Sequence, residues 1–424
     1  LALEVAVGTL NVVTTAIGTT VTVSGLAFQP KLVLFSWTGR TAVGQAEGDH
    51  KFGMGCMASA TKRGGHTSQS VQAAGTSASD QRTFNNNCIL LQTTAGAVDG
   101  AADFDAFLSD GFRVIITDVF TTTYLVNYMA IGGSDLTDVD VVSVTSPTVI
   151  GTQDVAVAFA LNTGLDDKAV IILGGGDDLG FNATDVYSQF GVGVAAGDTI
   201  VNAIMGGNSL DAQGTSDTGS YCFVGDCIGT VSVPANPVTR RASITTWLST
   251  GFRLNWVTVD VDPNPYLAII LKGGRYRVGD SLTSTGGTNQ VEATPYIPKG
   301  LLVASHNKAQ SAAATPQAQD ERSVGFVAGA SARNYVSIID VDALGTTDIG
   351  VAQNTDEMYA NQSTAGAIAI EGLMDLVSFD ATPSFTFVMD DPDPVASFFW
   401  YLLMADTPAG PPGPNALMLV GVGQ

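Results

Sequence analysis

Three histidines, His50, His66 and His306, are the side chains of this 424-residue chain best suited to move a proton near neutral pH. None lies in a metal-ligand spacing such as HxxH or HExxH. No GxSxG elbow offers a serine to any of them, so no nucleophile, base and orienting carboxylate stand in a recognisable order. Gly174-Gly175-Gly176-Asp177-Asp178 follows an apolar run, as a phosphate loop would. It lacks the Gly-Lys-Ser/Thr ending and opens no helical pattern, which argues against a nucleotide site. The expectation is a protein that is not an enzyme and has no catalytic residues.

Oxygen ligands are more plentiful. Asp260, Asp262 and Asn264 alternate on one proline-bearing turn, and Asp391 and Asp393 follow Asp390 on another. Alternate oxygens on a rigid turn can hold calcium, although no EF-hand with a terminal glutamate is present. A solvated acidic turn is the other reading, so calcium is the one cofactor left open. Trp37-Thr38-Gly39-Arg40-Thr41 places an aromatic and an arginine, both interface-prone when exposed, in a glycine-bearing turn. Trp37 can equally continue its strand into a core.

Composition points to strands. Of 40 acidic residues only six are glutamate (Glu4, Glu47, Glu292, Glu321, Glu357 and Glu371), and lysine numbers seven. Aspartate favours turns and glutamate favours helices, so a chain rich in Val, Thr, Ile, Gly and Asp reads as all-β. The net charge of −22 excludes nucleic acid as an expected partner, because phosphate contacts need Lys and Arg. No run of about 18 apolar residues offers a membrane-spanning helix, and the first residues, through Val7, lack a signal-peptide layout. Four cysteines are too few for a disulfide scaffold. Cys88 and Cys227 precede Phe112 and Phe252 by similar distances and read as equivalent buried thiols, with a Cys222–Cys227 bridge as the alternative.

The elements that must position these residues recur three times. Pro30-Lys31-Leu32-Val33-Leu34-Phe35, Phe52-Gly53-Met54-Gly55 and Gly111-Phe112-Arg113-Val114 are matched by Asp167-Lys168-Ala169-Val170-Ile171-Ile172, Phe190-Gly191-Val192-Gly193 and Gly251-Phe252-Arg253-Leu254. A weaker copy reads Pro298-Lys299-Gly300-Leu301-Leu302-Val303, Val324-Gly325-Phe326-Val327 and Ser384-Phe385-Thr386-Phe387. The lysine-to-phenylalanine intervals (31 to 112, 168 to 252, 299 to 385) are 81, 84 and 86 residues. Three tandem antiparallel β-sandwiches are expected, over 1–147, 148–286 and 287–406, divided where Ser, Thr, Gly and Pro accumulate. Gly18 reads as a hairpin turn, and Phe112 to Ile116 returning through Tyr124 to Ala130 reads as another. Leu32 to Phe35 reads as a strand buried on both faces. The Gly53/Gly55 alternation implies a bulky group over one strand face, such as an aromatic from the facing sheet. Residues 407–424 form an extended arm: Pro411-Pro412-Gly413-Pro414 cannot join a ladder. The apolar Leu417, Met418, Leu419 and Val420 suit docking on a neighbour's sheet edge or groove.

Gly111-Phe112-Arg113-Val114, with Tyr124-Leu125-Val126-Asn127-Tyr128-Met129-Ala130-Ile131-Gly132 and Phe28-Gln29-Pro30-Lys31, resembles the H-type lectin domain. That resemblance implies a small antiparallel sandwich, often trimeric, that binds sugars in some members; none of the family's ligand motif is recognisable. The stretch Phe28 to Thr41, followed by Asp110-Gly111-Phe112, also resembles proteins encoded in tailed-phage genomes. The expectation that follows is a multi-copy structural protein on a virion exterior, a capsid decoration or tail component, contacting other virion proteins. The alternative is a carbohydrate-binding adhesin that recognises host surface glycans.

Overall fold

The computed structural model describes residues 2–176, 178–231, 238–309, 317–363 and 368–408. Among the described residues every regular element is a strand, and the strands fall into three sets of eleven in the same order. The first set is β1 (Leu3–Val12), β2 (Thr20–Ser24), β3 (Pro30–Trp37), β4 (Gly44–Glu47), β5 (His50–Ser59), β6 (Lys62–Ser70), β7 (Ser79–Phe84), β8 (Ile89–Gln92), β9 (Val98–Leu108), β10 (Gly111–Asp118) and β11 (Tyr124–Gly133). The second is β12 (Asp138–Thr145), β13 (Gly151–Ala156), β14 (Lys168–Gly174), β15 (Asp185–Val186), β16 (Ser188–Ala196), β17 (Val201–Ser209), β18 (Thr218–Val224), β19 (Ile228–Val231), β20 (Val238–Leu248), β21 (Gly251–Thr258) and β22 (Pro265–Lys272). The third is β23 (Arg275–Leu282), β24 (Gln290–Ala293), β25 (Pro298–Ser305), β26 (Gln317–Ala318), β27 (Asp320–Gly329), β28 (Ala332–Asp340), β29 (Ile349–Asn354), β30 (Tyr359–Ser363), β31 (Ala369–Phe379), β32 (Ser384–Asp391) and β33 (Phe398–Ala405).

Each repeat is a sandwich of a larger inner sheet and a four-stranded outer sheet. In the first, β1-β11-β3-β5-β6-β7 faces β2-β10-β9-β8, and the other two copy this order. Two local expectations fail for one reason. Residues around Gly18 do not close a hairpin, because β1 pairs with β11 while β2 pairs with β10. Likewise β10 lies in the outer sheet and β11 in the inner one, so the Phe112-to-Ala130 segment crosses the sandwich. The burial patterns explain the split. Along β10, Phe112, Val114 and Ile116 are buried while their neighbours are partly exposed, as in a sheet with one wet face. Tyr124 through Gly132 are buried without a break, which requires cover on both faces.

The repeat junctions also move. β12 pairs along β22, so residues 138–145 open the second repeat, and β23 pairs along β33, so residues 275–282 open the third. The junctions therefore lie at 134–137 and 273–274, not near 147 and 286. The stretches at 146–150 and 283–289 are crossings between the two sheets of one repeat, equivalent to the crossing at Gly18. A positive φ at Gly133, Gly273 and Gly274 lets the chain turn sharply at the true junctions.

The doubly buried strands have a second core behind them. Val33, Phe35 and Trp37 enter the first sandwich core, whereas Leu32 and Leu34 point the other way. There they join Ile171 and Leu173 of the second repeat and Leu302 and Ala304 of the third in one shared cluster. The three inner sheets thus pack back to back around a pseudo-threefold axis. The edges close in a cycle: β15 extends the first inner sheet beside β7, β26 extends the second beside β18, and β4 extends the third beside β29. Each inner sheet gains its seventh strand from the next repeat, which blocks edges that would otherwise template aggregation.

The glycine alternation is explained at the same level. A Cβ on Gly53 would come within 2.6 Å of the Trp37 indole, a cross-strand neighbour in the same sheet and not an aromatic from the facing one. A Cβ on Gly55, Gly193 or Gly325 would collide with the carbonyl of Cys88, Cys227 or Met358, one contact repeated three times.

Candidate functional site

The polar residues that could do chemistry are gathered at the axis, and the repeats differ there. His50, Ser188 and Asp320 open β5, β16 and β27; Phe52, Phe190 and Arg322 lie two residues further on; Ser70, Ser209 and Asp340 close β6, β17 and β28. The Phe52 and Phe190 rings meet edge to face at 4.8 Å, and the Arg322 guanidinium lies 5.7 Å from each ring centroid. Arg322 is fully buried and pairs with Asp320, its Nε donating at 2.6 Å. It also donates to Ser68 Oγ at 3.0 Å and to the Ser188 carbonyl at 3.2 Å, so one third-repeat side chain ties all three repeats together. Burial raises the Asp320 carboxyl and Arg322 pulls it back. Burial pushes Asp340 up to about 7, against the Ser209 and Ser70 hydroxyls, which favour the ionised form.

The axis is capped by a ring that sequence reasoning missed. The β6–β7, β17–β18 and β28–β29 turns carry Ala73-Ala74-Gly75-Thr76-Ser77, Ala212-Gln213-Gly214-Thr215-Ser216 and Ala343-Leu344-Gly345-Thr346-Thr347. The alanines share a left-handed φ of 56–59°. Their N–H groups donate around the cycle: Ala73 to the Thr347 carbonyl, Ala212 to Ser77 and Ala343 to Ser216, each at 2.9 Å. Side chains repeat the pattern, with Asp211 accepting from the Ser79 N–H at 3.0 Å and Asp342 from the Thr218 N–H at 3.1 Å. Gln72 accepts from the Ile349 N–H and completes the set. The recurring A-x-G-T-[ST] was a legible signal for this ring.

Two of the histidines serve the seam between the first and second repeats. His66 Nε2 lies 2.6 Å from the Gln189 carbonyl and its Nδ1 2.9 Å from Thr83 Oγ1, and burial lowers its pKa to about 4. His50 Nε2 lies 3.3 Å from Ser188 Oγ, and burial with the nearby Arg322 charge holds it well below its usual value. Burial lowers His306 to about 3. All three are neutral and enclosed at pH 7.

Other sequence candidates scatter. Trp37 is fully buried in the first sandwich core and is therefore not an exposed interface anchor. Arg40 is partly exposed, and its carbonyl accepts from the Leu125 N–H at 2.8 Å. Asp260 lies 3.4 Å from Arg240, whose guanidinium also donates to the Asp262 carbonyl at 3.2 Å. Asn264 is buried, its backbone exchanging bonds with Ser146. Asp391 is exposed, whereas Asp393 is buried and bonded to Asn361, Ser397 and the Val395 N–H. Among the described residues no three His, Cys, Asp or Glu side chains converge as metal ligands. All four cysteines are buried and none is in a disulfide, so Cys222 and Cys227 form no bridge. Leu417, Met418, Leu419 and Val420 lie outside the described residues. Asp393 instead lines a cleft of about 370 Å3 in the third repeat, with Asn307, Lys308, Glu321 and Asn361.

The fold and site together define a single-chain, three-sandwich β protein whose buried charges hold repeats together. Neither a protein-family model nor a curated protein sequence matches the chain.

Proposed function

We propose that this protein is a non-enzymatic structural component of a phage virion exterior, a capsid decoration or a tail part, that works through assembly contacts. The observation that carries the reading is the cyclic strand exchange, in which β4, β15 and β26 each complete a neighbour's sheet. One chain thereby builds a three-lobed body with fixed symmetry and no partner required to complete it. Such a body suits a threefold or quasi-threefold position on a particle. Its three outer sheets differ in sequence, so each lobe can meet a different neighbour. The axial Arg322, Asp320, His50 and His66 are spent on holding seams, which fits a scaffold better than a catalyst. The resemblance to tailed-phage proteins points the same way.

The C-terminal arm extends this reading. Asp406 Oδ1 accepts from the Leu3 N–H and Asp135 Oδ2 from the Thr407 N–H, both at 2.7 Å. The arm therefore departs where the repeat junctions gather, at the pole opposite the alanine ring. Its apolar run, Leu417 to Val420, is the proposed attachment to the particle.

The test is mass spectrometry of purified particles joined to a map of the virion. The reading expects the chain in stoichiometric amount, as three-lobed density outside the shell or on the tail. Absence from particles of a phage that encodes it would refute the reading.

A further inference from the structure

Asp340 closes β28 on the axis, where the first and second repeats carry Ser70 and Ser209. It is fully buried, yet neither of its carboxylate oxygens has a hydrogen-bond partner among the described residues. The Ser70 and Ser209 hydroxyls favour its ionised form, but neither is placed to donate to it. They meet a third hydroxyl instead: Ser79 Oγ lies 3.0 Å from Ser70 Oγ and 3.4 Å from Ser209 Oγ. Three hydroxyls and a carboxylate are thus enclosed together, on strands that are described without a gap.

The charges around this cluster do not balance. Asp320 stands across the ladder from Asp340 and takes the Arg322 guanidinium. His50, across the ladder from Ser70, is neutral. Asp211 and Asp342, in the turns after β17 and β28, accept from the Ser79 and Thr218 N–H groups. Two axial carboxylates therefore share one guanidinium. An ionised carboxylate enclosed without a partner is strongly unfavourable, so it either keeps a proton or gains a counter-ion. Tandem repeats make a single such charge feasible on a threefold axis. Three identical subunits would bring three carboxylates there or none.

We propose that the axis holds one dehydrated sodium ion between the Asp340 carboxylate and the hydroxyl oxygens of Ser70, Ser79 and Ser209. Carboxylate and hydroxyl oxygens are hard donors that suit hard cations. One positive charge balances the axis, whereas a divalent ion would overshoot it. The carboxylate oxygens are closed off from water, which favours sodium over the larger potassium. The ion replaces the proton that Asp340 would otherwise keep and fastens all three repeats at one point. The inference goes beyond the virion reading and does not rest on it.

The experiment is equilibrium urea unfolding of the full chain at about pH 8, with sodium replaced stepwise by tetramethylammonium at constant chloride. Holding the ionic strength fixed keeps the screening of the −22 net charge unchanged. The unfolding midpoint should rise with the logarithm of the sodium concentration, less with potassium, and not with calcium. At about pH 5 Asp340 keeps its proton, and the sodium effect should fade. Asp340→Asn should abolish the effect. Ser209→Ala, which removes one oxygen, should move its onset to about tenfold higher sodium. Equal midpoints in sodium and tetramethylammonium at about pH 8, a sodium effect that survives Asp340→Asn, or a calcium effect larger than that of sodium would overturn the proposal.

Discussion

Replacing Arg322 with phenylalanine, the residue at the equivalent position in the other two repeats, isolates the energetics of the axis. The Arg322→Phe chain keeps a bulky aromatic beside Phe52 and Phe190 but leaves Asp320 enclosed without its cation. Ser68 Oγ and the Ser188 carbonyl also lose their donor. Removing one partner of a buried ion pair costs about 3–5 kcal/mol, a large part of the stability of any domain. The triple variant D320S/R322F/D340S instead copies the second repeat's set of Ser188, Phe190 and Ser209. Because buried ion pairs exchanged for packed apolar groups are often neutral or stabilising, it should recover at least wild-type stability. Urea unfolding followed by tryptophan fluorescence measures both. The sign of the pH effect adds a second readout. Without Arg322 the folded-state pKa of Asp320 rises further, so the folded chain binds more protons than the unfolded chain. The single variant's deficit should then shrink as the pH falls toward the ordinary carboxylate value. A single variant as stable as wild type, or a triple variant as damaged as the single, would refute this account of the axis.

Three further outcomes follow from the same architecture. Asp340, raised from 3.8 to about 7, and Glu321, raised from 4.5 to about 8, hold protons in the folded chain that the unfolded chain has released. Stability should therefore fall as pH rises from about 4 through 7–8, and Asp340→Asn should flatten the lower part of that slope in melting curves taken across this range. Ser216 Oγ accepts from the Leu344 N–H at 2.9 Å and donates to the Val341 carbonyl at 2.7 Å. Ser216→Ala should cost about 1–3 kcal/mol by chemical denaturation. The third repeat expressed alone, residues 274–408, would bare Leu302, Val324, Phe326, Trp400 and Leu402 of the shared core. Light scattering after gel filtration should find it associated or aggregated, not a soluble monomer.

Much of this architecture was legible in the residues, and what was missed has physical causes. Strand content followed from composition, and threefold repetition from the Lys31/Lys168/Lys299 spacing. The unbroken apolar run Leu32 to Phe35 announced two buried faces, but a sequence cannot say what covers the second one; here it is the other two repeats. Alternation along Phe112 to Ile116 marked a strand with one wet face, yet strand pairing is non-local, so a crossing between sheets read as a hairpin. Polar crossings near Ser146 and Thr283 resembled linkers because exposed turns and interdomain linkers share a composition. The real junctions are short and glycine-marked. Trp37 was balanced between core and surface, and the glycine opposite it at Gly53 decided for the core. The A-x-G-T-[ST] turns were readable as a repeat, but their interlocking appears only in three dimensions.

The central claim is that one chain closes on itself into a ring of three. The seam between β4 and β29 tests it most directly, because it joins the first repeat to the third and no linear string of domains would form it. Ala46 and Val351 are paired in that ladder. Paired Cα atoms on adjacent strands lie within disulfide range, roughly 4.5–5.5 Å. The double variant Ala46→Cys/Val351→Cys, oxidised at low concentration and digested, is predicted to yield a 46–351 disulfide within a monomer. Free thiols at both positions, or a bridge found only between chains, would contradict the closed ring.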